Sequence, residues 1–237
     1  VVGVYLNDVL NIREQPGVSH AITATIPPLG RGVRITGERQ AVNNSIWAPV
    51  RYQDAVGWVN TYYLARQRGS ASPALASRAR TAILALKETD WDTLASLVHP
   101  ETCLRFSPYP YVQKNQDLVF CPEEIQGFPN NTQVYTWGQF DGSGKPIDMT
   151  VQEYYDRFLY DADFAHPEEI GYNVTLGSGN MINNLPDVYP QADFIEYHFS
   201  GFDPQYGGMD WRSIRLVFEN IQGTWYLVGL IHAEWTI

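Results

Sequence analysis

Two cysteines in 237 residues are too few for a disulfide framework, and Cys103 and Cys121 stand in neither a CxxC pair nor a Cys/His spacing of the zinc type. Basic residues are scarce as well. Sixteen Lys and Arg face 26 Asp and Glu, a net charge of −10, so no basic stripe exists to neutralise phosphates and a nucleic-acid partner is excluded. No apolar run approaches the roughly 20 residues of a membrane helix, which excludes a helical membrane span. GxSxG, HExxH and HxH are all missing, and neither Gly-Ser-Gly triplet (142–144, 177–179) lies between a strand and a helix as a phosphate cradle would. No cofactor and no metal is therefore implied. Asp141 opens a loop that resembles a calcium site, but Lys145 within it has the wrong sign. A basic export segment is also missing from the opening VVGVYLNDVLNIRE, which reads as strand; the chain is expected either to be cytosolic or to begin after a removed signal.

What is present is apolar and aromatic: 44% hydrophobic and 14% aromatic residues, with only 18% charged, describe a folded chain. Aromatic density collapses at QRGSASPALAS, and charge divides there. Residues 1–66 carry 6 basic and 4 acidic residues, and the remaining 10 basic and 22 acidic residues lie beyond. The sequence thus divides into a module over 1–66, a linker over 67–76 and a second module over 77–237. The first has no helical period, only short β-rich runs (VVGVYL, AITATI, GVRITGE, WAPVRY, VGWVN) between turns, and predicts a small all-β barrel.

The second module opens with helices. Ala79, Ala82, Ile83 and Leu86 share one face, Asp90 caps a helix carrying Trp91, Leu94, Leu97 and Val98, and Thr150 with Glu153 forms a capping box before Tyr154, Tyr155, Phe158 and Leu159. Long strands follow at 170–177, 192–201, 211–220 and 224–235, the last two joined by Gln222-Gly223. Their alternation puts Ile214, Leu216, Phe218, Trp225, Leu227, Ile231 and Trp235 on one face and Arg215, Glu219, Tyr226, His232 and Glu234 on the other. This is an α+β arrangement. Two runs, 102–107 and 117–121, predict a hairpin in which Phe106 meets Leu118 and Cys103 meets Cys121. A disulfide there closes a loop of about 18 residues, contributes on the order of 3 kcal/mol, and points to an oxidising compartment; two buried thiols are the alternative.

Leu10-Asn11-Ile12-Arg13, Pro16-Gly17, Trp47, Val50-Arg51-Tyr52 and Gly57-Trp58-Val59 with Tyr62 and Leu64 resemble a bacterial SH3 (SH3b) domain. The resemblance implies an exported module that docks on cell wall or a peptide. KETDWDTLASLVHP, RFSPY, WGQFDGSG, EYHFSGFDP and MDWRS over 77–237 resemble the NTF2-like (cystatin-like) fold, a curved antiparallel sheet wrapped round helices into a cone, as found in exported bacterial proteins. It supplies no activity.

The expected function is therefore that of a non-enzymatic, extracytoplasmic binding protein, secreted or associated with the cell envelope. Trp47, Tyr52, Trp58, Tyr62 and Tyr63 are the candidates for contacting peptidoglycan or peptide; Arg105, Tyr154 and Arg212 are the candidates for holding a small molecule in the cone. Arg212, beside the apolar face, needs a carboxylate from Asp161, Asp203 or Asp210. His99 is expected to cap the helix it follows. The rival reading is an NTF2-like hydrolase or isomerase using Asp161 or Asp210 with His198 or His232 as an acid–base pair, and Glu196 as a further partner of His198. A third expectation is a homodimer through the mixed sheet face.

Overall fold

Short strands separated by turns make up the first module. The computed structural model describes residues 1, 4, 7–28, 30–43, 45–67 and 72–236. In it β1 (Leu10–Arg13), β2 (Ile22–Ile26), β3 (Arg34–Ile35), β4 (Gln40–Val42), β5 (Ser45–Tyr52) and β6 (Ala55–Asn60) form one antiparallel sheet in the order β2-β1-β6-β5-β3, with β4 also on β5. Most of the strand expected over 1–6 lies outside the described residues. Alternation on β1 sends Leu10 and Ile12 into a core with Ile26, Ala48, Val50 and Val59 and leaves Asn11 and Arg13 half-exposed. Gly57 lets β6 approach β1, because a Cβ there would lie 2.5 Å from the Arg13 carbonyl oxygen.

The boundary differs from the expected linker. β7 (Ala65–Gln67) pairs in parallel with β12 (Glu169–Tyr172) and so belongs to the large sheet of the second module. Residues 68–71 lie outside the described ones, and α1 (Pro73–Lys87) has already begun at Pro73. Ser72 accepts a hydrogen bond from the Leu75 N–H, with Pro73 at the first helical position. The Ser-Pro pair that looks like linker composition is a helix start. The modules also touch: the Arg39 guanidinium pairs with the Glu169 carboxylate.

After α2 (Trp91–Leu97), capped by Asp90 through the Thr93 N–H at 2.9 Å, come β8 (Leu104–Ser107), β9 (Leu118–Phe120), α3 (Pro122–Gln126), β10 (Tyr135–Gln139) and β11 (Pro146–Met149). Next are α4 (Val151–Tyr154), which runs into a π-helical stretch at Tyr155–Leu159, then α5 (Leu185–Val188), β13 (Asp193–Phe199), β14 (Arg212–Ile221) and β15 (Thr224–Glu234). The seven-stranded sheet has the order β7-β12-β13-β14-β15-β8-β9. The chain is mostly β, with an SH3-like sheet followed by an α+β module.

One sheet face packs on α1, α2 and the π-helical stretch. Leu86, Leu94, Phe158, Ile214, Leu216 and Leu230 are all buried there, each side chain contributing roughly 1.5–3 kcal/mol. Aromatic rings fill this interior; Trp137 stacks on Tyr154 with centroids 3.8 Å apart, and Phe106 meets both rings edge-on. The other face is covered by the chain between β12 and β13, where Leu185 joins Val112, Val217, Val228 and Ile231 in a smaller core. The mixed face expected to pair with a second copy is thus covered within the chain around Arg215, 1% exposed, while Glu219 and Tyr226 stay half-exposed.

β8 and β9 pair in the expected register, Phe106 opposite Leu118 and Leu104 opposite Phe120. Cys103 and Cys121 then face each other with Cα atoms 4.4 Å apart, joined by a disulfide across a separation of 18 residues. Replacing both cysteines by Ser should cost on the order of 3 kcal/mol, read from urea denaturation; an unchanged midpoint would mean that the hairpin is held by its packing alone.

Inside this hairpin connection Asp117 is buried and accepts the Gln113 N–H at 2.8 Å, and burial pushes its carboxyl up to about 6. The folded state therefore keeps a proton that the unfolded chain gives up. The stabilisation this gives is complete below the ordinary Asp range and lost by the time pH has risen through about 6. Asp117→Asn should accordingly stabilise the protein at pH 8, by up to about 3 kcal/mol, and do little at pH 4, in paired denaturation curves.

Candidate functional site

An extra residue in β15 decides which polar groups meet. Val217 pairs with Gly229 but Phe218 pairs with Leu227, so the strand bulges at Val228 and its phase reverses. Leu230 rather than Ile231 faces the main core, and His232 and Glu234 follow it inward, opposite Ile214 and Arg212. The straight alternation expected from sequence placed both with Arg215; the bulge separates them from it.

Asp161, just past the π-helical stretch, completes the inward group. Its Oδ2 lies 2.8 Å from Arg212 Nε and 3.2 Å from His232 Nε2. Glu234 bridges two guanidinium groups, at 2.5 Å from Arg157 Nη2 and 3.4 Å from Arg212 Nε. His232 Nδ1 lies 3.3 Å from the Pro108 carbonyl oxygen. Burial works to raise the Asp161 carboxyl, but the His232 hydrogen bond and charge, with Arg212 and Arg157, outweigh it and hold it below the usual range. Of the carboxylates weighed for Arg212, Asp161 is its partner.

Asp161, His232 and Glu234 also bring ligand-type atoms within 4.8 Å of one another. Two guanidinium groups already neutralise the two carboxylates, which is the wrong electrostatics for a cation. The interior beside them is occupied: the Phe158 ring meets His232 edge-on at 5.5 Å. The arrangement locks the end of the sheet to the π-helical stretch. Arg157 was not among the site candidates read from sequence, since only the bulge and the π turn bring it to Glu234.

The remaining candidates separate. His198 lies on the outer face, 8% exposed, with Nδ1 2.8 Å from Ser213 Oγ; burial lowers its pKa despite Glu196, Glu169 and Glu168 nearby. Glu196 pairs with Arg215 at 2.8 Å instead of orienting His198. Asp210 accepts the N–H groups of Phe202 and Asp203 and closes its own loop, so it belongs to neither acid–base pair. Tyr154, 0% exposed in the aromatic interior, is core and not a pocket wall. Arg105 donates to the carbonyl oxygens of Lys114 and Asp117, and its side chain borders an open groove with Lys114 and Tyr189. His99 does not cap α2: its Nδ1 accepts the N–H groups of Glu101 and Thr102, which Pro100 leaves without helical partners.

On the first module a groove of about 280 Å3 is lined by Leu10, Asn11, Arg13, Trp47, Tyr63 and, from α1, Arg80. Trp47 is 3% exposed and forms part of the wall. Tyr52 packs against the barrel core, and Trp58 is half-buried opposite Arg13. Tyr62 sits between modules, beneath the Arg80 guanidinium at 5.1 Å and 6.0 Å from the His166 ring. A second groove, of about 400 Å3, runs between Arg31, Arg39 and Glu168 and had no sequence signal, because it exists only where the two modules meet.

Residues 8–65 match a family model described as a bacterial SH3 domain. No curated protein matches the chain. Among solved structures, a chain from Xanthomonas campestris, described as a calcium/calmodulin dependent protein kinase II association domain, is similar at 11% identity, covering 73% of this chain and 95% of that one, with a TM-score of 0.30. So slight a likeness leaves the second module described by its own strand order.

Asp161→Asn should destabilise the protein by about 3 kcal/mol at pH 7, since the part-buried Arg212 loses its counter-charge. A depressed carboxyl gives stability above its unfolded pKa and loses it as pH falls through the folded one. The gap between wild type and variant should therefore narrow once pH drops below the ordinary Asp range; a gap that stays constant to pH 2 in urea titrations would remove the charge explanation.

Proposed function

We propose that this protein is a non-enzymatic, extracytoplasmic binding protein. Its SH3-like module docks on cell-wall material or a peptide, and its α+β module, read as NTF2-like, binds a ligand or a protein partner. The observation carrying the first half is the groove that Asn11, Arg13, Trp47 and Tyr63 line beside Arg80. Its walls combine aromatic rings with two cations, Arg13 and Arg80, against one carboxylate, Asp8, a net positive composition suited to a peptide that bears carboxylates. The match of residues 8–65 to bacterial SH3 domains supports the same reading, since such domains commonly bind peptidoglycan or peptides. The Cys103–Cys121 disulfide and the absence of any described helix long and apolar enough to cross a membrane are compatible with a place outside the cytoplasm. On this reading the modules, 1–66 and 77–237 in outline, act together, because Arg80 of α1 forms one side of the groove.

The enzyme reading has one observation in its favour, the convergence of Asp161, His232 and Arg212. It ranks second because both carboxylates of that cluster are paired with arginines and the Phe158 ring packs against the histidine. A reacting group needs room next to the acid and base.

Co-sedimentation with insoluble peptidoglycan tests the docking half. The full chain should pellet, and Arg13→Glu, which reverses a charge in the groove, should reduce the pelleted fraction at least roughly fivefold, the loss of about one charged contact. Equal pelleting by both would move the contact away from this groove; no pelleting by either would sink the wall-docking reading.

A further inference from the structure

The outer sheet face holds an unusual assembly of buried charge. Glu196, 0% exposed, and Arg215, 1% exposed, form an ion pair that also grips both backbone polar groups of one residue of the covering chain. Glu196 Oε1 accepts the Gly177 N–H at 2.8 Å, and Arg215 Nη2 donates to the Gly177 carbonyl oxygen at 3.4 Å. Only glycine fits there, because a Cβ would lie 2.4 Å from the Trp211 ring. With Nε and Nη2 so committed, Arg215 Nη1 has no hydrogen-bond partner among the described residues. Neither does the Trp211 indole Nε1–H, although Trp211 is 5% exposed.

Both residues line one cavity of about 70 Å3, whose wall also includes Gly177, Ser178, Gly179, Asn183 and Glu234, the last with its carboxylate paired to Arg157 and Arg212. Ser178 and Gly179 are exposed, so the cavity opens to solvent beside them. A buried donor left without an acceptor costs about 1–3 kcal/mol, more when charged, and two at one cavity specify what should enter. The occupant must offer acceptor oxygens to these two donors. At this volume it is a group of about three or four heavy atoms.

We propose that this cavity is a carboxylate-binding site, in which Arg215 Nη1 and the Trp211 indole N–H hold the head of a small organic acid or of a peptide C-terminus whose remainder leaves past Ser178 and Gly179. The inference deepens the ligand-binding half of the proposed function and is independent of wall docking. It assigns that half to the outer face of the sheet and not to the ring-filled interior.

The test uses the full chain with acetate as the minimal acid, N-acetylglycylglycine as a peptide terminus, and acetamide as the neutral isostere, all at fixed ionic strength. In titrations followed by two-dimensional NMR of the indole N–H groups, the Trp211 resonance, identified as the one missing from Trp211→Phe, should shift and saturate with a carboxylate. Acetamide should leave it in place. Trp211→Phe keeps an aromatic ring on this strand and removes one donor, so affinity read by calorimetry should fall roughly tenfold. Saturation by acetate alone would assign the site to free acids, and tighter binding of the dipeptide would assign it to chain termini; either supports the proposal. It is overturned if acetamide matches acetate, if Trp211→Phe binds as well as wild type, or if crystals grown in acetate hold an ordered water only on the two donors. Loss of pelleting by Arg13→Glu with carboxylate binding intact, or the reverse, separates failure of this site from failure of the wall-docking reading.

Discussion

The bulge at Val228 is the constraint on which the second module's polar organisation depends. β14 runs on evenly, so its partner β15 must place one extra residue against it, and from that point every side chain of β15 changes face. Ile231 goes to the outer core with Val217, while His232 and Glu234 go inward to Asp161, Arg157 and Arg212. Without the bulge, Ile231 would sit among the charges and Glu234 would lie on the outer face. The π-helical stretch answers it from the other side, since Arg157 lies within that stretch and Asp161 two residues after it.

The two faces of the large sheet each carry a group of buried, ion-paired charges. The inward group is extended, with two carboxylates and two guanidinium groups sharing contacts at an edge where Arg157 and Arg212 still reach solvent. The outer group is a single pair beneath the covering chain, open only through the small cavity beside Ser178 and Gly179. A buried pair is a poor source of net stability compared with well-packed apolar side chains. Its value here is positional, because it fixes the backbone of one residue, Gly177, in a long connection that has little regular structure of its own.

Much of the fold was legible in the sequence because its signals are local. Asp90, the Thr150–Glu153 box, the Gln222-Gly223 turn and the cysteine-bearing hairpin each declare themselves within a few residues, and each occurs where expected. The convergence of Asp161 with Arg212 and His232 was within reach as a set of partners, since a cation on an apolar face requires one. What sequence did not carry was non-local. The bulge has no composition signature, β7 finds its partner about a hundred residues away, and the cover over the outer face turns groups that look solvated, His198 and Arg215 among them, into buried ones. Short α3 and the β10–β11 hairpin fell below the length at which periodicity speaks.

The position of β7 alters what the composition break means. Residues that close the small barrel continue into an edge strand of the larger sheet, so the backbone of one module occupies hydrogen-bonding positions on the other. An uncovered strand edge is a template for pairing with any passing chain. The first module therefore serves its neighbour as a guard against sheet-to-sheet association, and a fragment cut at the Gly/Ser-rich stretch would leave β12 with that edge open.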